Sequence, residues 1–190
     1  MRPHMQRRTA IIAAVCASSG WALGAPAAPS LAEQAQRGGV LLIRHASTEP
    51  GLGDPAGFTI GQCQTQRNLS DAGRAEARAI GEWFQRHGLQ PQVVLSSQWC
   101  RCLDTARMAL GRVESWPSLN STFAGQGQPH RQLAELRERL QRLPADTLEV
   151  WVTHQVIMTA LTDAYPAMGE GFLVDRQGRL LARGMMAPDA

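Results

Sequence analysis

The sequence has no lysine. Its formal net charge of +3 rests on 19 arginines set against 16 carboxylates. Aromatic residues make up only 5%, with a single tyrosine, while 44% of the chain is apolar and 18% charged. Over 190 residues that composition describes one globular domain with residues to spare, and excludes a disordered chain, a collagen-like fibre or a repeat array. Beyond residue 24 no apolar run approaches the ~20 residues of a membrane span. Cysteine is scarce too. Cys100-Arg101-Cys102 has no second Cys/His pair beside it and no Cys-x-x-Cys-His occurs, so neither a zinc site nor haem attachment is written into the spacing.

The positive surplus lies at the N-terminus. Arg2, Arg7 and Arg8 precede an uncharged, mostly apolar run from Thr9 to Leu23, and Ala22 and Gly24 occupy the −3 and −1 positions of a cleavage after Gly24. Residues 1–24 read as a secretory signal; a buried helix there would show an amphipathic stripe and polar caps. The pair Arg7-Arg8 leaves Sec and twin-arginine export both open, and Val15 before Cys16 fits a lipoprotein cleavage site poorly. Without those residues the arginines fall from 19 to 16 and balance the 16 acids, so nothing points to nucleic acid. The expected location is the periplasm or the exterior, where thiols oxidise. Cys63, Cys100 and Cys102 then make one disulfide and one free thiol, with Cys63 bonded to Cys100 or to Cys102.

Residues 25–37, rich in Pro, Ala and Gln, are expected to be a flexible leader to a single domain over 38–190. Continuous apolar runs at Val40–Ile43, Val93–Leu95 and Leu148–Val152 read as buried strands. Helices are expected from Ser70 to Gly88, with Ala72, Ala75, Ala79, Ile80, Trp83 and Phe84 at helical spacing, and over 101–110, 131–143 and 155–164. The stretch 171–181 suggests a hairpin or sheet edge. Strands alternating with helices imply a largely parallel sheet covered on both faces, with ligands bound beyond the strands' carboxyl ends.

Those ends carry the chemistry. The first strand stops at Arg44-His45, the second runs through Ser96-Ser97 to Arg101, and the third stops at Thr153-His154. Singly, each is an ordinary surface arginine or polar histidine; together they suit phosphoryl transfer. Guanidinium forks match phosphate oxygens with charge-assisted bonds, and helix N-termini add backbone donors. Two arginines beside an imidazole disfavour its charged form, which assigns neutral His45 as nucleophile and protonated His154 as a clamp on the transferring group.

Four ordered segments resemble the histidine phosphatase (phosphoglycerate-mutase-like) superfamily. Leu42-Ile-Arg-His-Ala-Ser-Thr48 is similar to its Arg-His-Gly signature, with Ala46 replacing Gly. Leu69-Ser-Asp-Ala-Gly-Arg-Ala-Glu-Ala77, Ser97-Gln-Trp-Cys-Arg-Cys-Leu-Asp-Thr-Ala106 and Val152-Thr-His-Gln-Val156 follow in the family's order. The resemblance is to the small exported bacterial members. It implies a three-layer α/β/α sandwich with a largely parallel central sheet, and hydrolysis of a small-molecule phosphomonoester through a phosphohistidine on His45. Arg44, Arg101 and His154 would complete the pocket, without metal or cofactor. It also implies an open site, since a domain this small has little room for a cap, and a disulfide from Cys63 would hold its loop over the pocket.

The sequence departs from the family at the leaving-group acid. The Leu-x-Glu position reads Trp116-Pro-Ser-Leu-Asn-Ser-Thr-Phe123, offering Asn120 or Ser121, and His154 is followed by Gln155. Glu49 and Asp54, in the loop after His45, are the candidate acids, with Glu114 a weaker one. Otherwise fast turnover is restricted to good leaving groups such as phosphohistidine, acyl or aryl phosphates. Thr48 and Gln155 are candidate substrate contacts, Arg67 a rim charge, and His87 and His130 surface residues. Two other functions remain open: a non-catalytic phospho-ligand binder that kept the pocket but lost the acid, and a metal-binding protein using His45, His154 and loop acids, which the neighbouring arginines disfavour.

Overall fold

The computed structural model describes residues 29–187; the signal predicted over 1–24 lies outside the described residues. Six strands form one mixed sheet in the order β3-β2-β4-β1-β5-β6, where β1 is Gly39–Arg44, β2 Val93–Ser96, β3 Glu114–Ser115, β4 Leu148–Thr153, β5 Glu170–Val174 and β6 Leu180–Met185. The first four in that order run parallel, and β5 and β6 pair antiparallel as a hairpin at one edge. The other edge is the two-residue β3, whose Glu114 is exposed.

Strand alternation sorts the core into two layers. Leu41, Ile43, Val94, Val150 and Val152 pack under α2 (Asp71–Arg86) and α3 (Cys100–Leu110), while Val40, Leu42, Leu95, Trp151 and Phe172 pack under α4 (Pro129–Gln141) and α5 (Gln155–Thr162). This is the expected three-layer α/β/α sandwich. The buried face of α2 differs from the predicted one: Gly73, Ala77, Ile80, Trp83 and Phe84 are covered, whereas Ala72 and Ala75 are exposed. A methyl side chain is small enough to lie on either side, so the larger residues set the rotation.

The leader prediction is corrected in its second half. Leu31–Ala35 form α1, opened by a capping box in which Glu33 N–H donates to Ser30 Oγ and Ser30 N–H donates to the Glu33 carboxylate at 2.7 Å. Leu31, Ala32 and Ala35 are buried in the layer containing α2 and α3. The Ser-x-x-Glu spacing was the signal; reading bulk composition obscured it. No helix of the described residues is long and apolar enough to cross a membrane.

Neighbouring strands β1 and β4 send their chains to opposite faces, β1 toward α2 and β4 into α5. A crevice therefore opens between their carboxyl ends, where such sheets bind ligands.

Candidate active site

Sheet register assembles the site. Arg44 lies opposite Thr153, His45 N–H donates to Thr153 O at 3.0 Å, and Ser97 N–H donates to Val152 O at 3.0 Å. The residues following three strands thus reach one level. Arg44, His45, Asp54, Arg67, Arg101, His154 and Gln155 line a pocket of about 100 Å³ there. All four predicted pocket residues come together.

His45 is 3% exposed. Its Nδ1 lies 2.9 Å from Ala46 O, and a carbonyl only accepts, so Nδ1 carries the hydrogen and Nε2 the lone pair. Burial, then Arg101, Arg44 and Arg67, push its pKa down to about 3 against a smaller opposing pull from Ala46 O. It is the neutral imidazole the sequence predicted. His154 was predicted as the protonated partner, and the protein alone does not hold it so. Burial first, then His45, Arg101, Arg44 and Arg67, keep its pKa well below the usual histidine value. Its Nδ1 faces Arg101 Nη2 at 3.5 Å, which leaves Nε2–H to donate to Ser97 Oγ at 2.8 Å; Ser97 Oγ in turn donates to Asn120 Oδ1 at 3.2 Å. The rings of His45 and His154 stand edge to face, 5.4 Å apart. Asn120, one of the two residues the sequence offered in place of an acid, orients His154 through Ser97.

Three guanidiniums surround these rings. Arg44 donates to Pro166 O at 2.9 Å, Arg67 to Thr48 Oγ1 at 2.7 Å and Gly51 O at 2.9 Å, and Arg101 to both Asp54 oxygens at 2.7 and 3.2 Å. In all three the Nε–H is buried without an acceptor. An unmet donor on a buried charge is costly, and here three cations share one carboxylate. The arrangement is poised for an anion.

Neither predicted acid is placed to protonate a leaving group. Burial works against charge on Asp54, but Arg101, the Arg67 amide at 3.0 Å and Trp99 Nε1–H at 2.9 Å outweigh it and lower its pKa. Its proton is gone and its oxygens are occupied. Glu49 is exposed and does not line the pocket, and Glu114 sits on the distant sheet edge. Thr48 does not reach the pocket either, because its hydroxyl accepts from Arg67. His130 is exposed as expected, whereas His87 is half-buried and caps α2 through Trp83 O.

Several positioning residues were not recognised in the sequence. Thr105 Oγ1, one turn beyond Arg101, donates to Arg101 O at 2.7 Å and accepts Ala46 N–H at 3.1 Å, tying α3 to the loop after His45. Glu76 accepts Ser47 N–H at 2.7 Å. Gly73 lets α2 press onto that loop, since a Cβ there would lie 1.8 Å from Ser47 O. Arg67, expected only at the rim, belongs to the pocket. The motif spacings were visible, but which backbone groups they serve depends on the packed fold.

Cys63 bonds Cys100, at the start of α3 and next to Arg101. Cys102, two positions on, faces the opposite side of the helix. Its buried thiol lies 3.5 Å from His154 Nε2, and burial pushes its pKa up to about 12. Among the described residues no three His, Cys, Asp or Glu side chains converge as a metal-ligating group.

Residues 40–156 match the model of the histidine phosphatase superfamily (branch 1). No curated protein matches by sequence. Among solved structures, the protein histidine phosphatase SixA complexed with tungstate is 18% identical over 77% of this chain and 96% of its own, with a TM-score of 0.54. A candidate α-ribazole-5'-P phosphatase from Escherichia coli is 16% identical over 80% of this chain and 97% of its own, TM-score 0.57. A third structure, from Thermus thermophilus, is 22% identical over 77% of this chain and 98% of its own, TM-score 0.50. At these identities the likeness is one of fold.

Proposed function

The chain belongs to the histidine phosphatase superfamily, and from this premise we propose that it hydrolyses a small-molecule phosphomonoester, without metal, through a phosphohistidine on His45. The observation that carries the reading is the neutral His45, its Nε2 lone pair free, among three guanidiniums with unmet buried donors. A phosphoryl group in the pocket these arginines line supplies the negative charge they lack and spreads its developing charge over them. The tungstate complex of the related fold, a tetrahedral oxyanion, agrees with this.

In the first step His45 Nε2 attacks phosphorus as the ester oxygen leaves with its bonding pair. Water then attacks the phosphohistidine, the P–N pair returns to Nε2, and orthophosphate is released. Burial first and then the neighbouring cations keep His154 neutral; a bound dianion offsets the cations, so His154 takes up a proton with substrate and clamps the transferring oxygens. The export signal read in residues 1–24 and the Cys63–Cys100 bond support a periplasmic or secreted location.

Hydrolysis of p-nitrophenyl phosphate in the presence of a chelator, abolished in His45→Ala and reduced by about 10² to 10³ in Arg101→Ala, is expected. Undiminished turnover in His45→Ala would overturn the nucleophile. The missing acid favours a second reading, a phospho-ligand binder without turnover. Acid-labile phosphate that forms on His45 and then decays excludes it.

A further inference from the structure

We propose that the substrate is an aryl phosphate, whose ring lies in the apolar groove beside the phosphate pocket; this rests on the phosphatase reading above. The groove, about 470 Å³, is several times larger than the phosphate pocket and shares Ser121 and Gln126 with it. Phe58, Ile60, Trp99 and Pro117 supply its apolar lining. Trp99 couples the two spaces: its ring packs edge-on to His154 at 5.3 Å and tilted against Phe58 at 5.7 Å, and its Nε1–H donates to the Asp54 that holds Arg101. Large apolar side chains left open to solvent gather at the same mouth. Ile60 is 43% exposed, Phe123 40% and Leu52 87%, and Phe123 and Leu52 line the phosphate pocket itself. A group that covers them while its phosphate sits among the arginines gains apolar burial at each.

Leaving-group chemistry points the same way. Asp54 is the only carboxyl lining the phosphate pocket among the described residues, and it is ionised and fully engaged. Glu135 lines the groove, where Ser118 and then Arg131 lower its pKa. With no protonated carboxyl to donate, the ester oxygen departs as an anion. A phenol ionises near ~10, whereas an alkanol resembles water at ~15.7, so only the aryl oxygen leaves readily without help. The P–O pair goes to the phenolate, which takes its proton from solvent, while phosphorus passes to His45 Nε2.

The test separates ring recognition from leaving-group effect. The wild-type protein is assayed with phenyl phosphate, 2-naphthyl phosphate and glycerol phosphate. The alkyl ester is expected to trail both aryl esters by about 10² to 10⁴, the usual worth of a general acid. The naphthyl ester should show a KM about tenfold below that of phenyl, from partial burial of the second ring. Ile60→Glu, at an exposed position, and Phe58→Ala should each erase that preference. Equal KM values for the two aryl esters, or a preference unchanged in both variants, would overturn the groove; glycerol phosphate turned over as fast as phenyl would overturn the substrate class. Calorimetry with phenylphosphonate and 2-naphthylphosphonate reads the groove without catalysis. Absent turnover with tighter naphthyl binding therefore sinks the phosphatase reading alone, and equal binding sinks this one.

Discussion

Replacing Asp54 with Asn tests how the pocket is held. The Asp54 and Arg101 side chains are 3% and 4% exposed, and the carboxylate receives four donors: both Arg101 terminal nitrogens, Trp99 Nε1 and the Arg67 amide. The amide keeps one oxygen acceptor but presents an NH2 to a guanidinium and leaves that cation uncompensated. Breaking a buried pair costs about 3–5 kcal/mol, and the retained acceptor places this change near the lower end. At ~2–4 °C per kcal/mol for a domain of this size, the melting temperature should fall by roughly 6–12 °C. Asp54 has a lowered pKa, so its stabilisation is present above the ordinary carboxyl range near ~4 and lost as pH falls through the lowered value; the gap between wild type and variant should close in strong acid. Orthophosphate should stabilise the variant more than the wild type, because it restores a negative partner for Arg101. A positioning carboxylate loses rate equally on phenyl and alkyl phosphates when removed, whereas a proton donor loses far more on the alkyl ester. Unchanged melting, or a loss confined to poor leaving groups, would refute the ion-pair role.

Other outcomes follow from the same geometry. With His45 neutral down to about 3 and His154 taking up one proton as the dianion binds, the basic limb of kcat/KM should track the substrate's second phosphate ionisation near ~6 and move with it across esters; a limb fixed in pH for all esters would point to a protein group instead. Because both histidines are held neutral in the fold while the unfolded chain protonates near ~6.5, denaturant midpoints should decline as pH drops below that value, with the contribution of His45 complete near 3. Cys63→Ser opens a bond spanning 37 residues and should cost about 3–4 kcal/mol on chain-entropy grounds, read as a lowered midpoint that wild type reproduces under reductant. Gly73→Ala forces a methyl group against Ser47 O and should cost about 1–3 kcal/mol, with activity falling as the loop after His45 shifts; a variant with native activity and melting would contradict the close packing.

The sequence disclosed what depends on local pattern. Buried strands at 40–43, 93–95 and 148–152 were legible as apolar runs, and alternation with helices implied their parallel pairing. The four pocket residues were legible because each ends, directly follows or closely succeeds a strand. Less accessible was anything decided by one side chain meeting a distant backbone. Asp54 read as a candidate leaving-group acid because nothing in its neighbourhood of the chain shows Arg101, Trp99 and the Arg67 amide closing around it. Thr48 read as a substrate contact for want of knowing that Arg67 would claim its hydroxyl. The choice of Cys100 over Cys102 was likewise open until the rotation of α3 was fixed. α1 is different: its capping box was present in the letters and hidden by a leader-like composition.

The β1–β4 pairing that brings His45 beside Thr153 and His154 joins segments 109 residues apart in the chain, as in Gly39 and Leu148. Such long-range closure comes at a high loop-entropy cost and forms slowly. A fragment ending before Leu148 would keep the His45 loop and much of one covering layer, yet have no cleft to bind in. Recovery of turnover after dilution from denaturant thus reports that closure, and a half-built chain is silent.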